Sequence, residues 1–249
     1  MNNNSSLSIV ILAGGLGKRM KSEIPKVLHL LLDEPMLVHV LKTANKLNPN
    51  KIFIVVGKYK EIIKETIEKY ISIENIVFVD QPEAQGTGHA MMCVRPYLLD
   101  HDTDAKVIVL SGDVPLLKSE SIQSLDNTDL VTLMTTTYED PKGYGRIIQD
   151  SEGQFVRIVE EKDCNEEEAA VNIVNAGVYS FNASILCKYL PLITNNNAQN
   201  EYYLTDIFEL MITQENISIG MVHLPKHKGI ELTGVNTKEQ LEELENKLK

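Results

Sequence analysis

The chain has 249 residues, 43% of them hydrophobic, and a formal net charge of −11. It can bury one substantial core, and its acidic balance excludes a broad nucleic-acid or anionic-membrane surface, either of which needs a basic patch. Cys93, Cys164 and Cys187 form no Cys-x-x-Cys pair, so neither a zinc site nor a disulfide framework is indicated, and a reducing, cytoplasmic setting is expected.

Residues 1–7 read as a flexible tail. Met1-Asn2-Asn3-Asn4-Ser5-Ser6 is uncharged where a signal peptide would be basic and then apolar, and no apolar run is long enough to span a bilayer. Residues 8–249 read as a single domain. Ser8 to Leu12 is short, apolar and β-branched, which predicts a buried strand. It runs into Ala13-Gly14-Gly15-Leu16-Gly17-Lys18-Arg19-Met20 and then Pro25-Lys26. Glycines let backbone N–H groups come close to anionic oxygens, Arg19 offers a planar fork of donors and Lys26 a compact point charge, a combination suited to a triphosphate. Two commoner phosphate motifs are excluded by spelling: Gly17-Lys18 is followed by Arg19 rather than Ser or Thr, and the third glycine of Gly-x-Gly-x-x-Gly falls on Met20. The same residues also suit a tight strand-to-helix turn with two solvated basic side chains.

Lys51 to Gly57, Asn75 to Asp80 and Lys106 to Leu110 are further short apolar runs and predict buried parallel strands. Helical patterns lie between them: Leu37 to Leu47, Lys58 to Tyr70 with Ile62, Ile63 and Ile67 on one face, and Gly88 to Leu98. Strand alternating with helix predicts βαβ units and an α/β domain whose sheet is covered on both faces. After Asp129 the pattern changes. Leu130 to Thr137, Arg146 to Gln149, Phe155 to Glu160 and Val171 to Phe181 read as consecutive strands, a mixed or antiparallel extension of the mostly parallel sheet. A helix over Leu204 to Ile212 starts at Thr205/Asp206, strands follow at Ile217 to Leu224 and Gly229 to Thr233, and a charged helix runs from about Thr237 to Leu248.

In an open α/β sheet ligands collect beyond the carboxyl ends of the strands, and the informative residues cluster there. Gln81 ends the third predicted strand and could read a base by paired hydrogen bonds, with Gly86 and Thr87 letting backbone groups approach its edge; a helix cap with a loop glutamine fits the same residues. Asp113, after Gly112 at another strand end, is placed to hold Mg²⁺, which prefers few protein oxygens, or to make a turn with Pro115. Asn236, in Gly234-Val235-Asn236, is the candidate second oxygen donor. Gly143-Tyr144-Gly145-Arg146 opens a sugar-sized gap or forms a hairpin turn. Glu160 and Asn175 lie in apolar strand-like runs, where a polar group needs partners that sugar hydroxyls or the fold itself would supply.

Other chemistries fit poorly. Ser111 lacks the Gly-x-Ser-x-Gly elbow of a hydrolase, and Pro225 keeps His223 and His227 off a common helical face. His89 at a helix entrance reads as structural, and Glu166-Glu167-Glu168 as a solvated helical turn.

Taken in order, Leu12-x-x-Gly15-x-Gly17-x-Arg19, Pro25-Lys26-Val27-Leu28-His29, Gln85-Gly86-Thr87-Gly88-His89-Ala90, Gly112-Asp113-Val114-Pro115-Leu116, Gly143-Tyr144-Gly145-Arg146-Ile147, Ile158-Val159-Glu160, Asn175-x-Gly177, Glu201-Tyr202-Tyr203-Leu204-Thr205-Asp206 and Gly234-Val235-Asn236 form a pattern. It resembles the uridyltransferase domain of bacterial N-acetylglucosamine-1-phosphate uridyltransferases, from Ile9 to about Asn236. The first element is common to sugar-nucleotidyltransferases; the rest narrow it. The resemblance implies a Rossmann-like nucleotidyltransferase fold, with 8–128 as nucleotide-binding half, 129–236 as sugar-binding half and 237–249 as a C-terminal helix.

The resemblance also implies roles. Leu12, Ala13, Gly14, Gly15 and Gly17 would bind the nucleotide, Arg19 and Lys26 would hold the reacting phosphates, and Gln81, Gly86 and Thr87 would contact uracil. Gly143, Glu160 and Asn175 would contact the sugar, and Asp113 and Asn236 would hold Mg²⁺. The implied reaction joins UTP and N-acetylglucosamine 1-phosphate. Gly14 stands where the family usually has alanine and Lys18 where it usually has threonine, which loosens the loop and adds a charge near phosphate. The hexapeptide-repeat segment of bifunctional members is missing, so acetyl transfer is not expected, and a monomer or small homo-oligomer is expected rather than their trimer. A hexose-1-phosphate uridylyltransferase or a cytidylyltransferase of isoprenoid synthesis shares the first loop but is not expected to carry the later motifs together. A non-catalytic nucleotide-sugar sensor has less need of Arg19, Lys26, Asp113 and Asn236 at once.

Overall fold

The computed structural model describes residues 6–249 except 16, 100–104, 127 and 128, and describes only the backbone of Lys18. Residues 1–5 of the expected tail and the charge of Lys18 therefore lie outside the described residues. The first half follows the predicted alternation: β1 (Leu7–Leu12), short strands β2 (Leu30–Leu31) and β3 (Glu34–Pro35), α1 (Met36–Asn45), β4 (Lys51–Val56), α2 (Lys60–Ile67), β5 (Ile76–Asp80), α3 (Thr87–Leu99) and β6 (Lys106–Ser111). Then come α4 (Ser119–Gln123), β7 (Val131–Thr137), β8 (Arg146–Gln149), β9 (Phe155–Val159), α5 (Glu166–Ala169), β10 (Ile173–Asn182), α6 (Ala183–Tyr189), α7 (Asp206–Glu215), β11 (Gly220–His223) and α8 (Lys238–Leu248). β1 begins one residue earlier than expected, because Leu7 already pairs with Lys106.

The main sheet has the order β11-β7-β10-β6-β1-β4-β5. β6, β1, β4 and β5 are parallel, β10 is antiparallel to both β6 and β7, and the β8–β9 hairpin hangs from β10 through the Val174–Arg146 pair. The sheet is mostly parallel, with antiparallel strands confined to the second half. Side chains of a strand alternate between faces, and here both faces are covered. Val10, Phe53, Val55, Val107 and Val109 enter one core with α3, α6 and α7. Ile9, Ile11, Ile52, Ile54, Ile108 and Leu110 enter the other with α1 and α2. That double burial is why these strands read as unbroken apolar runs. A third, small core of Leu31, Met36, Val235 and Leu244 seats α8. No helix of the described residues is long and apolar enough to cross a membrane.

One predicted strand is absent. Residues 226–232 form a 3₁₀ helix, not the expected strand over Gly229 to Thr233. Leu224 N–H still donates to Thr135 O (2.8 Å), but the Pro225 carbonyl then accepts from Lys228 N–H (2.8 Å), starting the 3₁₀ turn that ends the ladder. Glu160 lies one residue beyond β9, not inside it. β1 has β4 on one side and the later β6 on the other, which places a topological switch point, and the mouth of a cleft, at its carboxyl end.

Candidate active site

The loop after β1 is shaped by close contacts. Gly17 has φ +58°, and a Cβ there would fall 2.8 Å from the Cβ of Lys26, so no other residue lets the loop lie against the Lys26 turn without strain. Met20 N–H donates to Gly17 O (2.9 Å) and closes a 3₁₀ turn over Lys18–Met20, with Met20 buried as its anchor and Arg19 exposed to the cleft. A second 3₁₀ turn, Lys26–Leu28, buries Val27 and Leu28 and leaves Lys26 on the cleft side.

Lys26 is the hub of a polar cluster. Its Nζ donates to Asp113 Oδ2 and to Asn236 Oδ1 (3.0 Å), and Arg19 Nη2 donates to the same Asn236 oxygen (2.9 Å). Ser111 Oγ donates to Asp113 Oδ1 (2.6 Å), and Val235 N–H donates to Asp113 O (2.9 Å). The side chains of Lys26 and Asp113 are each only 15% exposed. Burial pushes the Asp113 carboxyl up, but the Lys26 ammonium and the hydrogen bonds from Lys26 and Ser111 outweigh it and hold the group below the usual carboxylate range. Residues 113 and 236, far apart in sequence, thus converge on one ammonium. Two hard oxygens around one cation are a donor set that fits a divalent ion whose remaining ligands come from phosphate and water. Among the described residues no cluster of three or more His, Cys, Asp and Glu forms a metal site.

A second group lies at the end of β5. Gln81 is 5% exposed, and its Nε2 donates to Gly86 O (3.0 Å). Gly86 has φ +107°, and a Cβ there would meet Tyr202 O at 2.5 Å. The 85–88 loop is strapped to 202–204 by Tyr202 N–H to Gln85 O (2.8 Å), Gly88 N–H to Tyr202 O (2.7 Å) and Leu204 N–H to Thr87 Oγ1 (3.0 Å). A Cβ at Gly14 would lie 2.7 Å from Gln81 Oε1, which ties the unusual glycine of the first loop to this amide. His89 Nδ1 lies 3.0 Å from Glu83 O, in keeping with a structural histidine.

The third group belongs to the antiparallel half. Thr205 immediately precedes α7, yet its hydroxyl does not cap the helix; it donates to Glu160 Oε1 (2.9 Å). Burial raises the Glu160 carboxyl above its ordinary value, the Thr205 bond opposing it, with Asp163 and Glu201 adding to the rise. Asp206 is pushed up to about 6, by burial first and then by Glu160, Glu209 and Asp163. In β10 the register shifts between Asn175 and Tyr179, and Gly177 N–H donates to Asn175 Oδ1 (3.0 Å) while Asn175 Nδ2 donates to Tyr179 Oη (2.7 Å). Such a bulge re-aims a strand side chain. Gly143 N–H donates to Glu161 Oε1 (2.8 Å).

These groups line two joined chambers. A cleft of about 780 Å³ is bordered by Leu12, Ala13, Gly14, Gly15, Gly17, Arg19, Lys26, Gln81, Gly86, Thr87, Asp113, Gly143, Glu160 and Asn236. A chamber of about 280 Å³ shares Leu12, Thr87, Asp113, Gly143, Glu160 and Asn236 with it and adds Asn175. Every predicted site residue therefore lines one chamber or both, with Asp113 and Asn236 shared by the two and Lys26, in the larger, bonded to each of them. Ser111, Thr205 and Tyr179 line the smaller chamber as well, and the sequence does not point to them as candidates. Thr205 lies in Glu201-Tyr202-Tyr203-Leu204-Thr205-Asp206 and Ser111 two residues before Asp113, but nothing in the spacing marks Tyr179.

A family model described as "Nucleotidyl transferase" matches residues 8–224. The chain is 43% identical over 250 residues to a probable UDP-N-acetylglucosamine pyrophosphorylase of Acanthamoeba polyphaga mimivirus, covering 98% of this chain and 97% of that one. It is 40% identical over 241 residues to the bifunctional protein GlmU of Clostridium botulinum (strain Loch Maree / Type A3), covering 95% of this chain and 50% of the relative, so it spans about half the length of such bifunctional relatives. In fold it is similar to a crystal structure of a UDP-glucose pyrophosphorylase complexed with UDP-glucose, with a TM-score of 0.74, 18% identity and 98% of each chain covered.

Proposed function

This chain belongs to the nucleotidyl transferase family and is an enzyme of that kind, and we propose that it transfers UMP from UTP to N-acetylglucosamine 1-phosphate, giving UDP-N-acetylglucosamine and pyrophosphate. The observation that carries this reading is the junction itself: Asp113 and Asn236, shared by the chamber that Gln81 borders and the chamber that Asn175 borders, receive Lys26 and Arg19. A base and a sugar held at those two ends would bring their phosphates together on the cationic hub. The names of the mimiviral and bacterial relatives point to the same substrates.

In this mechanism a phosphate oxygen of the sugar phosphate attacks the α-phosphorus of UTP in line, and the bond to the bridging oxygen of pyrophosphate breaks. No protein nucleophile is needed. Lys26 and Arg19 exchange their bonds to Asp113 and Asn236 for bonds to phosphate oxygens, orient the two anions and neutralise charge as it moves onto the leaving group. Asp113 and Asn236 would hold Mg²⁺, which when bound offsets further phosphate charge. Gln81, kept in place by Gly86 O, offers its amide to the base, and Glu160 offers carboxylate oxygens to sugar hydroxyls.

The test is pyrophosphate release over a matrix of nucleoside triphosphates and sugar 1-phosphates, with and without Mg²⁺. Activity is expected with UTP and N-acetylglucosamine 1-phosphate and only with Mg²⁺. Activity confined to CTP, or to hexose phosphates lacking the acetamido group, would overturn the substrate assignment.

A further inference from the structure

Asn236 is held from two sides. On one side Val235 is fully buried in the small core with Leu31, Met36 and Leu244, and its N–H is bonded to the Asp113 carbonyl. On the other side stands the start of α8. Thr237 is the N-cap, and its Oγ1 accepts from Gln240 N–H (3.2 Å). In a capping box the residue at position 240 returns the bond to the N-cap N–H, satisfying one of the donors a helix start leaves open. Gln240 does this, Oε1 accepting from Thr237 N–H at 3.2 Å, but its shorter bond, 2.7 Å, is from Asn236 N–H. The box therefore reaches one residue past the helix, into the backbone of the side chain that receives Lys26 and Arg19.

We infer that Gln240, exposed on the first turn of α8, is a positioning residue for the cation site, fixing the Asn236 backbone so that its Oδ1 stays beside Asp113. This rests on the reading of Asp113 and Asn236 as the pair that holds the divalent ion. The capping box needs only the bond from Thr237 N–H to Gln240 Oε1, so the shorter bond from Asn236 N–H lies outside what the helix start requires. With the Gln240 side chain removed, the Asn236 backbone keeps only its chain link to Val235, and the amide oxygen is oriented by Lys26 and Arg19 alone, the cations that a divalent ion beside Asp113 would displace.

The experiment is Mn²⁺ binding to the full chain, followed by the electron-paramagnetic-resonance signal of free Mn²⁺, with thermal melts of every variant. Gln240→Ala is expected to weaken Mn²⁺ by on the order of tenfold, the range seen when a group supporting a metal ligand is lost. Gln240→Glu, which keeps the acceptor, is expected to bind close to wild type. Thr237→Ala removes the other half of the cap; it is expected to lower the melting temperature as Gln240→Ala does and to leave Mn²⁺ affinity unchanged. Gln240→Ala with wild-type Mn²⁺ affinity, or Thr237→Ala weakening Mn²⁺ equally, overturns the role of Gln240. Asp113→Asn separates the two levels: if it binds Mn²⁺ like wild type, or if wild type shows no binding, the cation-site reading itself falls, and this inference with it.

Discussion

Replacing Lys26 by methionine tests the junction without reference to any substrate. The ammonium is bonded to Asp113 Oδ2 and Asn236 Oδ1, and both partners of the ion pair are 15% exposed. Methionine keeps much of the stem and removes the charge. Asp113 is then left with the Ser111 hydroxyl as its side-chain donor, inside a site that disfavours a bare carboxylate. Removing one partner of a buried pair costs about 3–5 kcal/mol; the residual exposure argues for the lower end, about 3 kcal/mol. At about 2–4 °C per kcal/mol for a chain of this length, the melting temperature should fall by about 6–12 °C.

The pH dependence gives the sign. In the wild type the Asp113 pKa is depressed, so its contribution to stability is present above the unfolded value and is lost as pH falls through the folded one. Without Lys26, burial dominates and the pKa rises above the unfolded value; Asp113 then becomes a penalty that grows as pH rises and disappears on acidification. Urea melts at about pH 8 and about pH 5 should therefore show the gap between Lys26→Met and wild type closing at the lower pH. Asp113→Asn in the Lys26→Met background should recover part of the loss, a coupling of about 2 kcal/mol in the double-mutant cycle. A loss below about 1 kcal/mol, a gap independent of pH, or zero coupling would refute the buried ion pair.

Thr205→Val deletes the hydroxyl that donates to Glu160; a bond to a charged group is worth about 1.5–3 kcal/mol, so KM for the sugar 1-phosphate should rise by about tenfold or more with KM for UTP unchanged, and an equal rise in both would sink the assignment of this end to the sugar. Asp206→Asn should stabilise the fold only at higher pH. The Asp206 pKa is raised from 3.8 to about 6, so the wild type loses stability as pH climbs from the unfolded value through about 6, whereas the variant does not. The shift corresponds to about 3 kcal/mol, which solvent screening and the loss of a negative charge in the first turn of α7 reduce to about 1 kcal/mol. Thermal melts from about pH 4 to about pH 8 read it, and a variant no more stable than wild type at the upper end would contradict it.

The parallel half was legible because its strands are buried on both faces. Ile52 to Val56 alternates between two separate cores, so no position tolerates a polar residue and the run stands out from its surroundings. Residues 226–232 misled for the opposite reason. Ile230 and Leu232 alternate like a strand, but what decides the segment is Pro225 and a buried carboxylate, Glu231, that accepts from Ser121 Oγ (2.7 Å) across 110 residues of sequence. The glycines of the site were legible because a backbone contact such as Gly86 against Tyr202 tolerates nothing larger. Thr205 marks a helix start in the sequence and in the structure; that its hydroxyl turns to Glu160 depends on how β9 and α7 pack, and no local pattern encodes it.

The bonding of the site also bears on how it discriminates. Gln81 is bonded to Gly86, Asn175 to Gly177 and Tyr179, Glu160 to Thr205, and Lys26 and Arg19 to Asp113 and Asn236. At the two outer ends these bonds involve only some of the donors and acceptors of each side chain, so a base or sugar can add contacts to groups whose orientation is already fixed. At the junction the cations must give up bonds they hold. Exchanging one hydrogen bond for another nets only about 0.5–1.5 kcal/mol, so the junction contributes little to binding through bond count alone. On the proposed mechanism its advantage would come when negative charge grows on the phosphates during transfer, because Lys26 and Arg19 would gain more from the charged group than from the Asn236 amide oxygen. Selectivity would then be set where contacts are added, at Gln81 and at Glu160 with Asn175, and rate where contacts are exchanged, a division in which Gln81 and Glu160 variants raise KM and Lys26 variants lower kcat.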